Sequence, residues 1–311
     1  MKKVIVLGGT GFVGTHVCEK LIRDDWQVTV LTRRLSNAEK IQHLPGLTVL
    51  EVDVHDETAL TRAVAGHDAL VNLVAILHGD QSAFERTHVA LPKKLAHACL
   101  AAHVGRVVHI SALGADALQS EKSPSMYLRS KGEGEAVLIQ AATGGSAGAA
   151  ADTGFDLSIL RPSVIFGVGD KFLTVFAKLQ KLVPVVPLAG AAAKFQPVWV
   201  EDVANAVLRC LADHGHTASP RTIEVVGPDV FTLKQLVQIS AQAAGIMGGL
   251  GRPVIALPEW AARAQARVMG LAPGGHPGPA AGVRGRRMTL GPERPRDVDR
   301  DVGEVSEVAV R

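Results

Sequence analysis

The sequence predicts an α/β protein built on a doubly wound parallel sheet, on three observations. Short β-branched runs alternate with longer helical patterns through the first half of the chain. The runs are nearly continuous in apolar residues, as strands covered by helices on both faces are. The first run ends in a glycine-rich turn that opens a helix.

Taken in order, the strands are read at Val4–Leu7, Val28–Leu31, Val49–Val52, Ala69–Val74, Val107–Ile110 and Leu157–Leu160. Residues 141–154, AATGGSAGAAADTG, are rich in small residues and read as a surface insertion between a helix and a strand. Beyond residue 165 the pattern reads as a smaller C-terminal lobe over 166–271, with a strand at Arg221–Val226 and a helix over Thr232–Ala244. Pro258–Leu271 reads as a helix with Trp260, Ala264, Val268 and Leu271 on one side, packed either on the core or against a partner or lipid headgroups. Residues 272–311 are rich in Arg, Gly and Pro and lack apolar periodicity, which predicts a disordered or atypical tail.

Composition narrows the function. The 311 residues carry 33 Lys+Arg against 30 Asp+Glu, a net charge of +3, and 4% aromatics. That gives neither the field nor the stacking platforms of a nucleic-acid binder. Cys18, Cys99 and Cys210 lie far apart without paired short spacings, and His97, His103, His214 and His216 find no matching third ligand, so neither a metal nor a disulfide framework is expected. No stretch approaches the roughly 20 apolar residues of a membrane span. The expected setting is a reducing cytoplasm, with peripheral contact at the inner membrane face left open.

The turn Gly8-Gly9-Thr10-Gly11-Phe12-Val13-Gly14 directly follows the first strand. Gly8 allows the tight turn, Gly11 a close backbone approach to a pyrophosphate, and Gly14 close helix–strand packing, while the helix start offers unpaired N–H groups to phosphates. This is a dinucleotide fingerprint in a Rossmann-type sheet. The second strand ends in Thr32-Arg33-Arg34, where an NAD-selective site has a carboxylate for the ribose 2′-hydroxyl. Two guanidiniums suit a 2′-phosphate, so NADP(H) is the preferred cofactor, with NAD(H) the alternative. Topology places Asp53 and Val54 beside the adenine, and Leu73, Val74 and Ala75 under the cofactor.

These features, with Tyr127-Leu-Arg-Ser-Lys131, Leu160-Arg161-Pro162-Ser163-Val164-Ile165-Phe166-Gly167, Pro197-Val198-Trp199-Val200-Glu201-Asp202 and Val226-Gly227-Pro228, resemble the extended and atypical branch of the short-chain dehydrogenase/reductase superfamily, the epimerase/dehydratase-like proteins. The resemblance covers roughly residues 1–255. Within the branch, Val71-Asn72-Leu73-Val74-Ala75 and the segment Ser125–Glu135 are most similar to the NAD(P)H-binding accessory subunit of respiratory complex I and its bacterial relatives.

On a helix, Tyr127 and Lys131 share a face, so an ammonium there can favour phenolate and also hold ribose hydroxyls. Tyr127 is the only tyrosine of the chain. The resemblance implies a third group, a Ser or Thr just after the fifth strand. The aligned positions are Ala112 and Leu113, leaving Ser111 as the candidate hydroxyl. It also places Arg161, Pro162 and Ser163 at the wall of the nicotinamide pocket.

Two functions follow. One is an NADP(H)-dependent oxidoreductase or epimerase with Tyr127, Lys131 and Ser111 as its catalytic set, acting on a small-molecule or quinone substrate. The other is a non-catalytic nucleotide-binding accessory or assembly protein of respiratory complex I or a quinone-linked membrane system.

Overall fold

A computed structural model of the chain describes residues 2–123, 125–144, 154–212 and 219–257. The helix expected over 258–271, the tail and the middle of the insertion lie outside the described residues. The chain divides into two units, one comprising residues up to Lys171 with Pro197–Gly227, the other Phe172–Gln196 with the described residues from Pro228 onward.

The first unit is built on parallel pairing of the apolar runs. Its strands are β1 (Lys3–Leu7), β2 (Gln27–Thr32), β3 (Leu47–Glu51), β4 (Ala69–Asn72), β5 (Arg106–Ile110) and β6 (Asp156–Pro162). Short β7 (Ile165–Phe166) pairs with β10 (Val198–Trp199) beside them. A seventh strand of the main sheet, β11 (Arg221–Val225), pairs in parallel with β6. The order is β3-β2-β1-β4-β5-β6-β11, so the winding reverses between β1 and β4. A sheet wound this way opens a crevice at its carboxyl edge where the direction switches.

Two expectations change. The strand at Arg221–Val225 belongs to the main sheet, not to the smaller lobe, because its backbone bonds to β6 over the full register Arg221↔Ser158 to Val225↔Pro162. With it, residues 197–227 return to the first unit, so the boundary at 165 does not separate the two bodies. β4 also stops at Asn72, two residues early. The Asn72 Oδ1 accepts the Val74 N–H at 3.1 Å, a local bond that turns the chain out of the sheet.

Helices cover both faces. On one, α1 (Phe12–Arg23) packs on α7 (Val200–Ala212), with Val17, Cys18 and Leu21 meeting Ala204, Val207 and Leu211 over Val4, Val6 and Val28. On the other lie α2 (Glu57–Val64), the nearly continuous helix made of α3 (Gln81–Phe84), a π-helical stretch Glu85–Ala90 and α4 (Leu91–Ala101), and α5 (Met126–Ala142). Leu60, Leu91, Leu95 and Leu138 fill that side over Ile5, Leu7, Leu70 and Leu157. Each such side chain contributes about 1.5–3 kcal/mol by leaving water.

The second unit contains α6 (Phe172–Leu182), β8 (Val186–Ala189), β9 (Lys194–Phe195), β12 (Phe231–Thr232), α8 (Leu233–Ala243) and β13 (Val254–Leu257). Thr232 and Gln235 form a reciprocal capping box that starts α8 where the sequence reads a helix. Buried Gln180 ties α6 to α8 by donating to the Val237 carbonyl at 2.8 Å, and accepts the Arg252 N–H at 3.1 Å.

Two glycines let α5 approach its neighbours closely. A Cβ on Gly132 would meet the Asp116 backbone, and one on Gly134 the His88 carbonyl. Glycine inside a helix costs roughly 1 kcal/mol against alanine, so these positions exchange intrinsic helix stability for contact. Gly134→Ala is therefore expected to lower stability by about 1–3 kcal/mol, read as a fall in the urea midpoint at unchanged slope. An unchanged midpoint contradicts the close contact.

Candidate active site

The glycine turn comes first. Gly8 has φ +80°, and a Cβ there would lie 3.0 Å from the Leu73 carbonyl carbon. The Gly11 N–H closes the turn on the Gly8 carbonyl at 3.0 Å. Any Cβ on Gly14 would collide with that same carbonyl, which is why the first turn of α1 can sit against the strand exit. Gly11 caps α1 without a side-chain bond, and the first turn holds no acidic residue. The result is a helix start whose N–H groups and dipole face outward over half-buried Thr10, Phe12 and Val13, the arrangement that receives phosphate.

At the end of β2, Thr32 is buried and its hydroxyl donates to the Arg34 carbonyl at 3.0 Å. Arg33 and Arg34 are exposed, and neither forms an ion pair among the described residues. Glu51, opposite Thr32 in the β2–β3 register, accepts the Leu35 N–H at 2.9 Å. The sequence reading passed over this carboxylate because it is carried by the third strand instead of the second. Asp53 is exposed and accepts the His55 N–H at 2.9 Å, while Val54 is buried beneath it.

The other half of the site is a buried polar cluster at the ends of β4, β5 and β6. Register sets Leu7 beside Asn72 and Asn72 beside His109. Asn72 Nδ2 lies 3.1 Å from His109 Nδ1, and its other amide atom holds Val74, which with Leu73 and Ala75 leads away from the strand. Lys131 reaches in from α5, fully buried, and donates to the Ile110 carbonyl at 2.7 Å. Burial lowers its amine to about 8, and the Glu135 carboxylate opposes that shift. Glu135 is itself fully buried and accepts two bonds from Arg161, at 3.0 and 2.6 Å.

Ser111 follows Ile110, is 4% exposed, and its hydroxyl finds no partner among the described residues. A buried orphan hydroxyl costs about 1–3 kcal/mol unless something bonds to it. It lies one residue from the carbonyl that holds Lys131. Ala112 is buried and the Leu113 N–H is taken by the Pro162 carbonyl at 2.9 Å. Ser163 donates its own N–H to Val225 at 3.1 Å. Arg161 is committed to Glu135 and fixes that carboxylate.

Tyr127 and Lys131 do share a face of α5, yet the expected phenolate is corrected. The Tyr127 ring packs edge-on against His88 at 5.5 Å and Phe84 at 6.3 Å, and burial pushes its phenol up to about 12. The Lys131 amine is turned to a backbone carbonyl, so burial outweighs any pull from the cation.

His88 was missed altogether. The π-helical stretch turns it inward, where Nε2 accepts the Ile76 N–H at 3.1 Å and Nδ1 meets the Ser130 hydroxyl at 2.9 Å. Ser130 in turn donates to the Tyr127 carbonyl at 2.9 Å. The chain of bonds requires a neutral ring with its proton on Nδ1, and burial, seconded by Lys131, lowers His88 to about 3. One signal was available: Glu135 lies one helical step beyond Lys131, so the acid on the Tyr127–Lys131 face was legible from spacing. Nothing in spacing marks a π-bulge.

Among the described residues, no group of His, Cys, Asp and Glu has metal-site geometry, and no helix is long and apolar enough to cross a membrane. The glycine cradle, the unpartnered Ser111 hydroxyl and the buried amine together fit a nicotinamide dinucleotide.

His88 sets a pH dependence. Its folded ring resists protons that the unfolded chain takes up below 6.5, so stability is expected to fall as pH drops from 6.5 towards 3. Replacing it as His88→Asn is expected to flatten that slope in acid-unfolding curves, and an unaltered slope assigns the effect elsewhere.

A family model described as the NAD dependent epimerase/dehydratase family matches residues 4–226. The mitochondrial protein named NADH dehydrogenase [ubiquinone] 1 alpha subcomplex subunit 9 is 30% identical in Arabidopsis thaliana over 242 residues, covering 75% of this chain and 56% of that protein. In Mus musculus it is 32% identical over 240 residues, covering 75% and 59%. The chain thus spans less than two thirds of these relatives' length. A dTDP-glucose 4,6-dehydratase double mutant from Streptomyces venezuelae, solved with NAD and DAU bound, superposes with a TM-score of 0.67 at 23% identity, covering 82% of this chain and 85% of that one, a likeness of fold.

Proposed function

The chain belongs to the NAD dependent epimerase/dehydratase family, and on that premise we propose that it binds NADP(H) in preference to NAD(H) and acts as an oxidoreductase or epimerase. The observation that carries this reading is the unpartnered, buried Ser111 hydroxyl beside the residue that anchors Lys131, on the same sheet edge as the glycine turn. Such a hydroxyl is a cost to the fold unless a ligand bonds it.

In this reading Gly8–Gly14 and the start of α1 hold the pyrophosphate, and Arg33 with Arg34 hold the 2′-phosphate. Asp53 and Val54 flank the adenine, while Leu73–Ala75 and Pro162–Ser163 line the nicotinamide end. The dinucleotide supplies hydride chemistry when bound. Tyr127 is the acid/base, held in its protonated form by burial, and Lys131 orients at the ribose side. Ser111 replaces the hydroxyl that Ala112 and Leu113 lack.

A second reading is favoured by that lack and by the relatives named as complex I subunits. In it the same site holds a structural nucleotide, and the chain is an accessory or assembly protein of a respiratory or quinone-linked complex, placed peripherally at a membrane face. Released nucleotide separates the two readings. Purified protein is denatured, the freed nucleotide identified, and exchange with labelled NADPH timed in intact protein. Rapid exchange supports the enzyme; retention over hours supports the accessory role.

Two substitutions sharpen the reading. Arg33→Ala is expected to weaken NADPH by at least tenfold, about 1.4 kcal/mol, and NADH by much less. Equal losses in the two titrations would place the 2′-phosphate elsewhere. Tyr127→Phe is expected to abolish turnover while nucleotide affinity stays within about tenfold. Turnover that survives the change removes Tyr127 from the chemistry.

A further inference from the structure

His16 lies one turn beyond the glycine loop on α1, and its ring is gripped from two sides. Nδ1 is 2.6 Å from the Glu201 Oε1 on the first turn of α7, and Nε2 is 3.1 Å from the Val168 carbonyl. A carbonyl oxygen only accepts, and so does an ionised carboxylate. A neutral imidazole has one N–H, so with neutral His16 one of these contacts sets a nitrogen lone pair against oxygen. Both are hydrogen bonds only when the ring carries two protons.

The surroundings carry charges of both signs. Glu201 shares its second oxygen with Lys20 at 3.5 Å, Asp202 lies beside it on α7, and the Val168 loop contributes Asp170 and Lys171. The Phe12 ring, from the glycine turn itself, meets His16 edge-on at 5.8 Å. Val168 belongs to a tight turn closed by the Asp170 N–H on the Gly167 carbonyl at 3.0 Å. Gly169 in that turn, at φ +93°, faces the Phe12 ring, and a Cβ there would be 3.7 Å from it. The chain leaves the first unit immediately after Lys171.

We propose that His16 is a positioning residue for the dinucleotide: as an imidazolium it latches residues 167–170 to the phosphate-binding end of α1, so that the placement of this loop and nucleotide affinity rise and fall together with its charge. The charge itself favours phosphate on the adjoining turn. Sign follows from the geometry: the latch is closed while the ring holds both protons and opens as pH rises and one is lost. This rests on the dinucleotide reading, but the latch has a signature of its own.

The test uses the full chain. In nitrogen-labelled histidine spectra, with the His16 signals assigned by their loss in His16→Gln, both ring nitrogens are expected to carry protons at neutral pH without nucleotide. A singly protonated ring overturns the latch. Affinity for NADH, which has no 2′-phosphate to titrate, is then followed across the His16 transition. Wild type is expected to lose at least fivefold as the ring deprotonates, within the range of ordinary coupling between sites. In Glu201→Gln, where no carboxylate demands the second proton, the step is expected to vanish or move to lower pH. The same step in both proteins overturns the coupling. No NADH binding at any pH overturns the dinucleotide reading, while the ring nitrogens still decide the latch.

Discussion

Lys131 carries a fully buried amine into the space between β5 and α5, and the groups around it are arranged to hold it. A buried ammonium costs several kcal/mol unless nearby groups stabilise it. Here a strand carbonyl accepts from it and a buried carboxylate one helical step away opposes its deprotonation. That carboxylate would be a second isolated charge without Arg161, whose two bonds anchor it to β6. The helix must also lie close enough for the amine to reach β5, and Gly132 and Gly134 permit that distance. Fold and site therefore share one constraint: the glycines that weaken α5 as a helix are the ones that let its polar face reach the sheet.

The same constraint explains why the tyrosine–lysine pair is arranged differently from a simple electrostatic dyad. Each group is held by a neighbour other than its partner, Lys131 by Ile110 and Tyr127 by the His88–Ser130 chain and two ring contacts. Burial acts on both in the direction of the neutral form. Burial thus keeps the Tyr127 phenol protonated and draws the Lys131 amine down to about 8, while both side chains are fixed in place.

Much of this was legible in residues alone. The six apolar runs became the six first strands of the sheet, because continuous β-branched runs between helical segments admit few other arrangements. The glycine turn and the Tyr127–Lys131 face follow from fixed spacings. What escaped depends on partners remote in sequence. Arg221–Val225 reads as a strand anywhere, and only its pairing with β6 assigns it to the main sheet. His88 turns inward because a π-helical stretch shifts its helix, and Glu51 reaches Leu35 only because β3 lies beside β2. Periodicity reports which face of an element is buried, but not which neighbour buries it.

The two ends of the crevice differ in how they are held, and that difference bears on function. Around Lys131 the polar groups are buried and mutually bonded, so that end is preorganised, with Ser111 left as an orphan hydroxyl. On the side of β2 and β3, Arg33, Arg34 and Asp53 are exposed, and the side chains of Thr32 and Glu51 bond the start of the loop after β2. Exposed guanidiniums gain little from ordinary surface pairing but much from a bidentate phosphate. In the proposed reading, affinity and dinucleotide choice belong to the exposed end, while the buried end fixes geometry. A site divided this way serves either a reaction or a permanently held nucleotide, and the rate at which the exposed end releases its ligand decides between them.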